Sequence, residues 1–300
     1  MATQPIETLE AGTWRRERTA GGARHRRVLA QLPTYLILLL LSLLFLFPWL
    51  FMFASSLKPS GRVLADVGSA LAFWPTPFRP ENYQDVFARV PLERYLLNSF
   101  FVTTATLVCG VFVNSLAAYA FAIMRFRGSD ILFALFVSLL IVPFEAIFLP
   151  LFLTVNALGW LNSYQALIVP FVANVLYIFL FRQFFLGLPR DLVESARIDG
   201  ASYFRIYRTI VMPLSVPIVS TVAILEFLAR WNDFFWPLIT ITDDDKYTAQ
   251  LGLAFLFGGE RTQWGIVMAG TVVISLPLLV VFLLFQRFFV QSVATTGMKN

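Results

Sequence analysis

The chain alternates between long apolar runs and short polar stretches, and the lengths of the runs indicate the fold. Crossing a hydrocarbon core takes about 20 residues of helix. Six runs meet or approach that length, at residues 35–57, 96–124, 131–155, 163–181, 210–229 and 265–286. A further apolar piece, 247–259, is too short to span, and we expect it at the interface or packed on the bundle. The pattern predicts an all-α, polytopic membrane protein with about six transmembrane helices in residues 32–300.

The polar stretch between the fourth and fifth runs, residues 187–212, is patterned like two short helices. Asp191 followed by Glu194 has the spacing of a capping box with Asp in the Ser/Thr place. This spacing predicts that a first helix begins near Leu192.

Asp199-Gly200 predicts the end of that first helix, because glycine adopts positive φ without steric cost. A second helix, from 202 to about 211, should leave at an angle, with Arg205 and Arg208 on one side. Its apolar side should carry residues at three- and four-residue spacing: Tyr203, Phe204, Tyr207, Ile210 and Val211. We expect a small amphipathic elbow at the membrane surface.

Composition supports the membrane assignment. The chain is 58% hydrophobic with a mean hydropathy of +0.73, above the roughly 45–50% apolar content of soluble domains. A soluble globular protein is therefore excluded. The first 31 residues are instead polar and basic, and we expect a mobile cytoplasmic tail there.

The distribution of basic residues predicts the orientation. An even number of spans places both termini on one side, where the tail, the loop between the second and third runs, the elbow and the C-terminus together carry 15 Lys and Arg residues. The opposite face carries seven, and Arg230 is unassigned. By the positive-inside rule the elbow and both termini are cytoplasmic, in a bacterial or archaeal cell membrane. Because the net charge of +5 lies beside membrane spans, we expect no nucleic-acid partner.

The sequence contains no recognisable catalytic motif. His25 and Cys109 are the only residues of their types, which excludes a histidine-based triad, a histidine-based metal site and an intrachain disulfide. The phosphate-binding pattern G-x-x-x-x-G-K-[ST] is missing. We expect a chain that is not an enzyme and that binds no cofactor itself.

Two strings carry a family resemblance. Residues 194–214, E-S-A-R-I-D-G-A-S-Y-F-R-I-Y-R-T-I-V-M-P-L, closely resemble the EAA loop, E-A-A-x-x-D-G-A followed by I-x-x-P-L. That loop belongs to the membrane-spanning subunits of ATP-binding-cassette (ABC) importers. The string Arg230-Trp231-Asn232-Asp233-Phe234 with Trp236-Pro237-Leu238 is similar to the region around the fifth helix of carbohydrate-importing members. The similarity covers about residue 35 to the C-terminus, and Ser195 stands where alanine is usual.

The resemblance implies a type I importer permease that moves a sugar or related small polar solute by alternating access. Its partners would be a second permease chain, an ATPase dimer holding ATP and Mg²⁺, an extracytoplasmic binding protein and the lipid bilayer. The elbow would be the coupling helix that contacts the ATPase. The residues that match the motif are Glu194, Ser195, Ala196, Asp199, Gly200, Ala201 and Pro213. A purely local role, in capping and turning the chain, is the alternative for these residues.

Several polar residues in or beside the spans are candidates for a substrate path. A carboxylate within a span is costly and usually faces a cavity or a partner, which makes Glu145 a candidate, although a packing hydrogen bond explains it equally well. Trp231, Asn232, Asp233 and Trp236 combine aromatic faces with hydrogen-bonding groups, as sugar sites do; Trp236 could equally be an interfacial anchor. We expect Glu226 and Arg230 to form an ion pair at i, i+4.

Two other functional classes remain open. An ion-gradient-driven secondary transporter or channel could use Glu145 and Glu226 as ion sites, but it would leave the elbow without a role. An intramembrane enzyme would need a catalytic partner for Glu145 among acids and amides. The identity of the transported solute is not encoded in any motif that the chain displays.

Overall fold

The structure, a computed structural model, describes residues 13–124, 126–258 and 262–297. Side chains are described for these residues apart from 13–30, 32 and 286–297. The α-helices, in chain order, are α1 (Thr13–Ser56), α2 (Ser60–Ala65), α3 (Asn82–Arg89), α4 (Leu92–Tyr119), α5 (Ser129–Ser138), α6 (Phe144–Ala157), α7 (Tyr164–Ile168), α8 (Val175–Leu186), α9 (Arg190–Ile198), α10 (Tyr203–Ile206), α11 (Met212–Leu214), α12 (Val216–Trp231), α13 (Phe235–Thr240), α14 (Ala249–Phe255) and α15 (Trp264–Gly297).

Short segments of other helix types extend several of these helices. Four are 3₁₀ segments, Ala70–Phe73, Leu139–Ile141, Val169–Phe171 and Asp244–Lys246. Two are π-helical, Ala120–Met124 after α4 and Tyr207–Val211 after α10. The described residues contain no β-strand, so the predicted all-α class is confirmed. Because α1 begins at Thr13, residues 13–31 of the predicted tail are helical, and the first 12 residues lie outside the described part.

The part of the chain that the structure describes holds six spans if each bent pair of helices counts as one. Three helices are long and apolar enough to cross alone, Pro33–Ser56, Leu92–Met124 and Trp264–Phe285. Three further pairs are bent at a break of at most four residues: Ser129–Ile141 with Phe144–Ala157 by 102°, Tyr164–Phe171 with Val175–Leu186 by 40°, and Tyr203–Leu214 with Val216–Trp231 by 79°. The count of about six agrees with the prediction, but the third, fourth and fifth spans are not the continuous helices that the apolar runs predict.

Local chemistry accounts for these breaks. Pro143 cannot donate a backbone hydrogen bond and disfavours helical geometry at Val142, so the third span stops and restarts at Phe144. Asn174 is extended and its side chain caps α8 by accepting from Leu176 N at 2.9 Å. At the fifth span, the 79° bend falls at Ser215, between α11 and α12, and α12 has 16 residues.

The buried core lies in clusters towards the two ends of the bundle. The cluster at the elbow joins α4, α8 and the second elbow helix, with the fully buried residues Ala118, Phe181, Ile206 and Val211 among its members. A cluster at the opposite end joins α3, the start of α4, α14 and α15, and includes Val86, Leu92 and Ile266. Since Ala249 of α14 is fully buried there, the short apolar piece packs on the bundle, one of its two predicted places.

Candidate functional site

The first elbow helix, α9, projects from the bundle. None of its residues is buried, and Ile198 is 86% exposed although it is a large apolar residue. Glu194, Ser195 and Asp199 are also exposed, and Leu192 is 42% exposed. The helix therefore presents apolar and acidic side chains together on its free surface.

The predicted capping box at the start of α9 is wrong. The helix begins at Arg190 with Pro189 at the N-cap, and no side chain caps it. Pro189 presets φ at −59°, so the helix starts earlier than Leu192 and Asp191 falls within its first turn. The negative charge of Asp191 in the first turn stabilises the helix through the helix dipole. The side chain of Glu194 makes no hydrogen bond or ion pair with another residue that the structure describes.

The turn between the elbow helices is fixed by short-range hydrogen bonds. Gly200 has φ of +80°, as the turn signal predicts, and a Cβ placed on it would meet no atom within 4 Å. Ala201 N donates to Ala196 O at 2.9 Å, and Arg197 Nη1 donates to Ala201 O at 3.1 Å. The Arg197 guanidinium lies 4.2 Å from the centre of the Tyr203 ring. Ala196 and Ala201 pack inward against the elbow cluster.

The second elbow helix is joined to α4 by tyrosines. The hydroxyls of Tyr207 and Ser115 are 2.8 Å apart, and Tyr119 Oη donates to Tyr203 O at 3.0 Å. The rings of Tyr119 and Tyr207 meet edge to face at 5.4 Å. Because several contacts connect the elbow to a long span, a displacement of the elbow would be transmitted into the bundle.

The predicted apolar face of the second elbow helix is partly confirmed. Tyr207 and Val211 are buried, but Phe204 is 57% exposed. Ile206, which the pattern omitted, is fully buried; its spacing of three from Tyr203 and four from Ile210 was the signal for it. Pro213 is exposed and lies in the first turn of α11, just before the 79° bend.

A small cavity of about 200 Å³ lies between α8 and α9. Its apolar wall includes Phe185, Leu186 and Val193, and its polar rim carries Arg190, Glu194 and Arg197. Glu194 therefore lies on the rim of this cavity.

A larger cavity of about 550 Å³ lies where the broken helices meet. Its lining comes from the start of α6, the break before α8, the end of α12 and the start of α13: Phe144, Glu145, Phe148, Phe171, Asn174, Ala229, Arg230, Asp233 and Phe235. Edge-to-face contacts, such as Phe148 with Phe235 at 5.5 Å, hold its aromatic walls. Non-helical backbone at membrane depth is tolerated where it lines such a cavity.

Arg230 is held from three sides at this cavity. Its Nη1 donates to Asp233 Oδ2 at 3.0 Å, and its Nε lies 3.6 Å from Glu226 Oε1, which confirms the predicted ion pair. The guanidinium also lies 3.9 Å from the centre of the Phe171 ring. Burial raises the pKa of Asp233, while Arg230 opposes that rise. The side chain of Glu145 is exposed to the cavity and makes no hydrogen bond with another described residue, so the packing explanation for it is not supported.

The structure brings only part of the predicted substrate path together. Glu145 and Asp233 share the cavity, whereas Trp231 and Trp236 are buried and do not line it; the Trp236 ring packs behind the lining residue Phe171, at 5.6 Å between centroids. The two tryptophans donate their ring N–H groups to Ile274 O and Ala166 O, at 3.0 and 2.9 Å. The burial of Trp236 contradicts an interfacial anchor. Asn232 is exposed and accepts from Gln250 Nε2 at 3.2 Å.

Two polar residues of the cavity lining were not assigned to the path by the sequence, namely Arg230 and Asn174. The backbone N–H of Asn174 donates to Asn114 Oδ1 of α4 at 2.8 Å, which fixes the break before α8 against that helix. The position of Asn174 at a break between two apolar helices was the signal in the sequence that it lines a cavity.

Known proteins resemble the chain over most of its length. Residues 107–295 match the family described as binding-protein-dependent transport system inner membrane component. The arabinooligosaccharides transport system permease protein AraQ of Bacillus subtilis (strain 168) is 36% identical over 88% of this chain and 94% of its own length. The trehalose/maltose transport system permease protein MalG of Thermococcus litoralis is 34% identical over 87% and 94%, respectively.

A solved structure supports the fold. A bacterial ABC transporter involved in the import of the acidic polysaccharide alginate superposes with a TM-score of 0.76 at 22% identity, over 89% of this chain and 98% of that one. With the family match, the relatives and the membrane helices in agreement, the chain belongs to the binding-protein-dependent transport system inner membrane components, the permease subunits of ABC importers.

Proposed function

We propose that this permease imports a neutral sugar or related polyol, driven by a separate ATPase that docks on the elbow. The observation that carries the proposal is the projection of α9 with Ile198 86% exposed. A large apolar side chain that projects into water from a motif-bearing helix indicates a protein partner. The family match and the excess of basic residues on the elbow side support a cytoplasmic ATPase as that partner.

The partners follow from this assignment. ATP and Mg²⁺ would bind to the ATPase dimer, a second permease chain would complete the pathway, and an extracytoplasmic binding protein would deliver the solute. Closure of the ATPase dimer would move the elbow, and the tyrosine contacts to α4 would carry that movement into the spans. The cavity would open to the outside in one state and to the cytoplasm in the other.

The charges of the larger cavity favour an uncharged solute. Its cation, Arg230, is already engaged by Asp233 and Glu226, so it offers no free charge to an anionic solute. Glu145 adds a carboxylate without a partner among the described residues. Phenylalanine rings and hydrogen-bond acceptors suit a sugar, whose apolar faces pack on rings while its hydroxyls donate. AraQ and MalG, the relatives named above, are described as permeases of arabinooligosaccharide and trehalose/maltose transport systems.

Substitutions that add or reverse a charge, or that add a large side chain, test the proposed contact between the elbow and the ATPase. We expect Ile198→Lys, Glu194→Lys and Gly200→Trp to abolish uptake and to weaken association with the ATPase while the chain remains inserted. Burying an Ile side chain contributes roughly 1.5–3 kcal/mol, so its loss should weaken association by about tenfold or more. Co-purification with the ATPase and initial rates of uptake measure the two effects.

Matched variants separate docking from folding. Ile198→Leu keeps an apolar side chain, and Gly200→Asn keeps a residue that tolerates positive φ, so both should retain uptake. Normal association and coupled uptake in all three disruptive variants would refute the proposed contact.

A further inference from the structure

The segment after α1 folds back along that helix instead of extending away from it. The Phe73 ring lies 5.1 Å from Phe47 and 6.2 Å from Phe51 of α1, measured between centroids. Arg79 N donates to Leu57 O at 2.8 Å, so the chain returns to the end of α1 only at Arg79. Residues 58–79 therefore form a re-entrant segment beside the first span, which we call the dip.

The depth of this dip follows from helix geometry. The apolar part of α1, Pro33–Ser56, has 24 residues, which is about 36 Å at 1.5 Å per residue against a hydrocarbon core of about 30 Å. Phe51 and Phe47 lie five and nine residues before Ser56, or about 8 and 13 Å along the axis. Phe73 is consequently level with the outer part of the hydrocarbon layer.

Between Arg62 and Arg79 the exposed surface of the dip is uncharged and mostly apolar. Its exposed large residues are Leu64, Val67, Leu71, Phe73, Trp74 at 69% and Phe78 at 62%. Between Leu64 and Phe78 the one charged residue is Asp66, which is 4% exposed. Arg62 and Arg79, with side chains 52% and 44% exposed, flank the stretch on either side. An uncharged aromatic surface between two flanking cations is the pattern of a membrane interface.

A buried lysine makes the dip compatible with a low-dielectric environment. Lys58 is fully buried, its Nζ lies 3.2 Å from Asp66 Oδ2, and it also donates to the carbonyls of Leu71 and, at 3.0 Å, Ala72. It thus neutralises the one carboxylate and satisfies carbonyls of an irregular segment. Unsatisfied backbone groups and unpaired charges are what exclude irregular chain from lipid.

We propose that residues 64–78 lie in the outer leaflet as a lipid-facing anchor beside α1. The apolar surface is continuous with the exposed face of α1, on which Phe47 is 54% exposed. The anchor would hold the outer end of the first span and leave the remainder of the outer segment, after Arg79, in water.

Depth-dependent fluorescence quenching tests the anchor. Trp74→Cys in a Cys109→Ala background is labelled with an environment-sensitive fluorophore, in membranes that contain the assembled transporter. Nitroxide phosphatidylcholine, labelled near the headgroup, is introduced as the lipid quencher, and iodide serves as the aqueous quencher. Gln84→Cys, at an exposed polar residue of α3, is the matched water-exposed control.

At Trp74 we expect blue-shifted emission, strong quenching by the nitroxide lipid and quenching by iodide severalfold weaker than at Gln84. Equal quenching by iodide at both positions would overturn the proposal, because the surface would then face water. Protection from both quenchers would also overturn it, because a protein, either the binding protein or the second permease, would then cover the surface. Phe78→Cys repeats the measurement if Trp74→Cys does not insert.

Discussion

Glu145 is the residue of the cavity on which the proposed substrate path most directly depends. It lies one residue inside α6, directly after the Pro143 break, where the helix N-terminus favours a negative charge. The carboxylate faces the cavity and has no partner among the described residues, so its acceptor capacity is free for a solute hydroxyl. A buried hydrogen bond to a charged group contributes about 1.5–3 kcal/mol.

Replacing Glu145 tests that hydrogen bond. Glu145→Gln retains an acceptor and should keep most of the uptake, whereas Glu145→Ala should lower the initial rate by about tenfold or more, the factor that corresponds to about 1.4 kcal/mol. Uptake of the solute delivered by the cognate binding protein is the measurement, and ATPase activity reports whether coupling persists. Ile147→Ala, on the same helix but outside the cavity lining, is the control. Unchanged uptake in Glu145→Ala would exclude Glu145 from the path.

At the scale of elements, the breaks in the spans decide where the cavity forms. One broken span restarts at Phe144, which lines the cavity, another restarts directly after the lining residue Asn174, and α12 ends beside the cavity. Two helix starts at the cavity are capped within the chain: Asn174 accepts from Leu176 N at the start of α8, and Asp233 accepts from Trp236 N at 3.3 Å at the start of α13. These two helix termini are therefore not free to attract an anion, in agreement with a neutral solute.

Arg230 holds the end of α12, and its removal should destabilise the fold. Arg230→Met would leave Glu226, 4% exposed, as an unpaired charge, at a cost of about 3–5 kcal/mol. We expect the Tm of the purified chain in detergent to fall by at least about 5 °C, and the double variant Arg230→Met/Glu226→Gln to recover part of the loss. Arg230→Lys keeps the positive charge but loses the forked N–H donors of the guanidinium, so we expect an intermediate Tm. An unchanged Tm for Arg230→Met would show that the ion pair contributes nothing to stability.

The sequence predicted the element types better than the element shapes. The apolar runs predicted the six spans because lipid permits little besides helices. The i, i+4 spacing of Glu226 and Arg230 predicted their ion pair directly. The bend at Pro143 was accessible from Val142-Pro143, but its angle of 102° depends on packing between distant segments. The same holds for Trp231 and Trp236: their type indicates an interface, yet tertiary contacts to Ile274 and Ala166 bury them.

At the scale of the whole molecule, the two candidate sites lie at different levels of one bundle. The elbow cluster and the cavity are connected by α8, whose first residues follow Asn174 and whose last residues, such as Phe185, pack in the elbow cluster. A movement of the elbow therefore has a direct path through one helix to the cavity. This connection has a transport function only if the elbow faces the ATP-containing side.

Site-directed labelling tests that orientation. In a Cys109→Ala background, Thr209→Cys places a thiol on an exposed position of the second elbow helix, and Gln84→Cys places one on α3 at the opposite end. Because 15 of the assigned Lys and Arg residues lie on the elbow side against seven, we expect an impermeant maleimide to label Gln84→Cys in intact spheroplasts. Thr209→Cys should react only after permeabilisation. Labelling of Thr209→Cys in intact spheroplasts would place the elbow outside, where no ATPase could reach it, and would exclude the proposed coupling whatever the elbow variants showed.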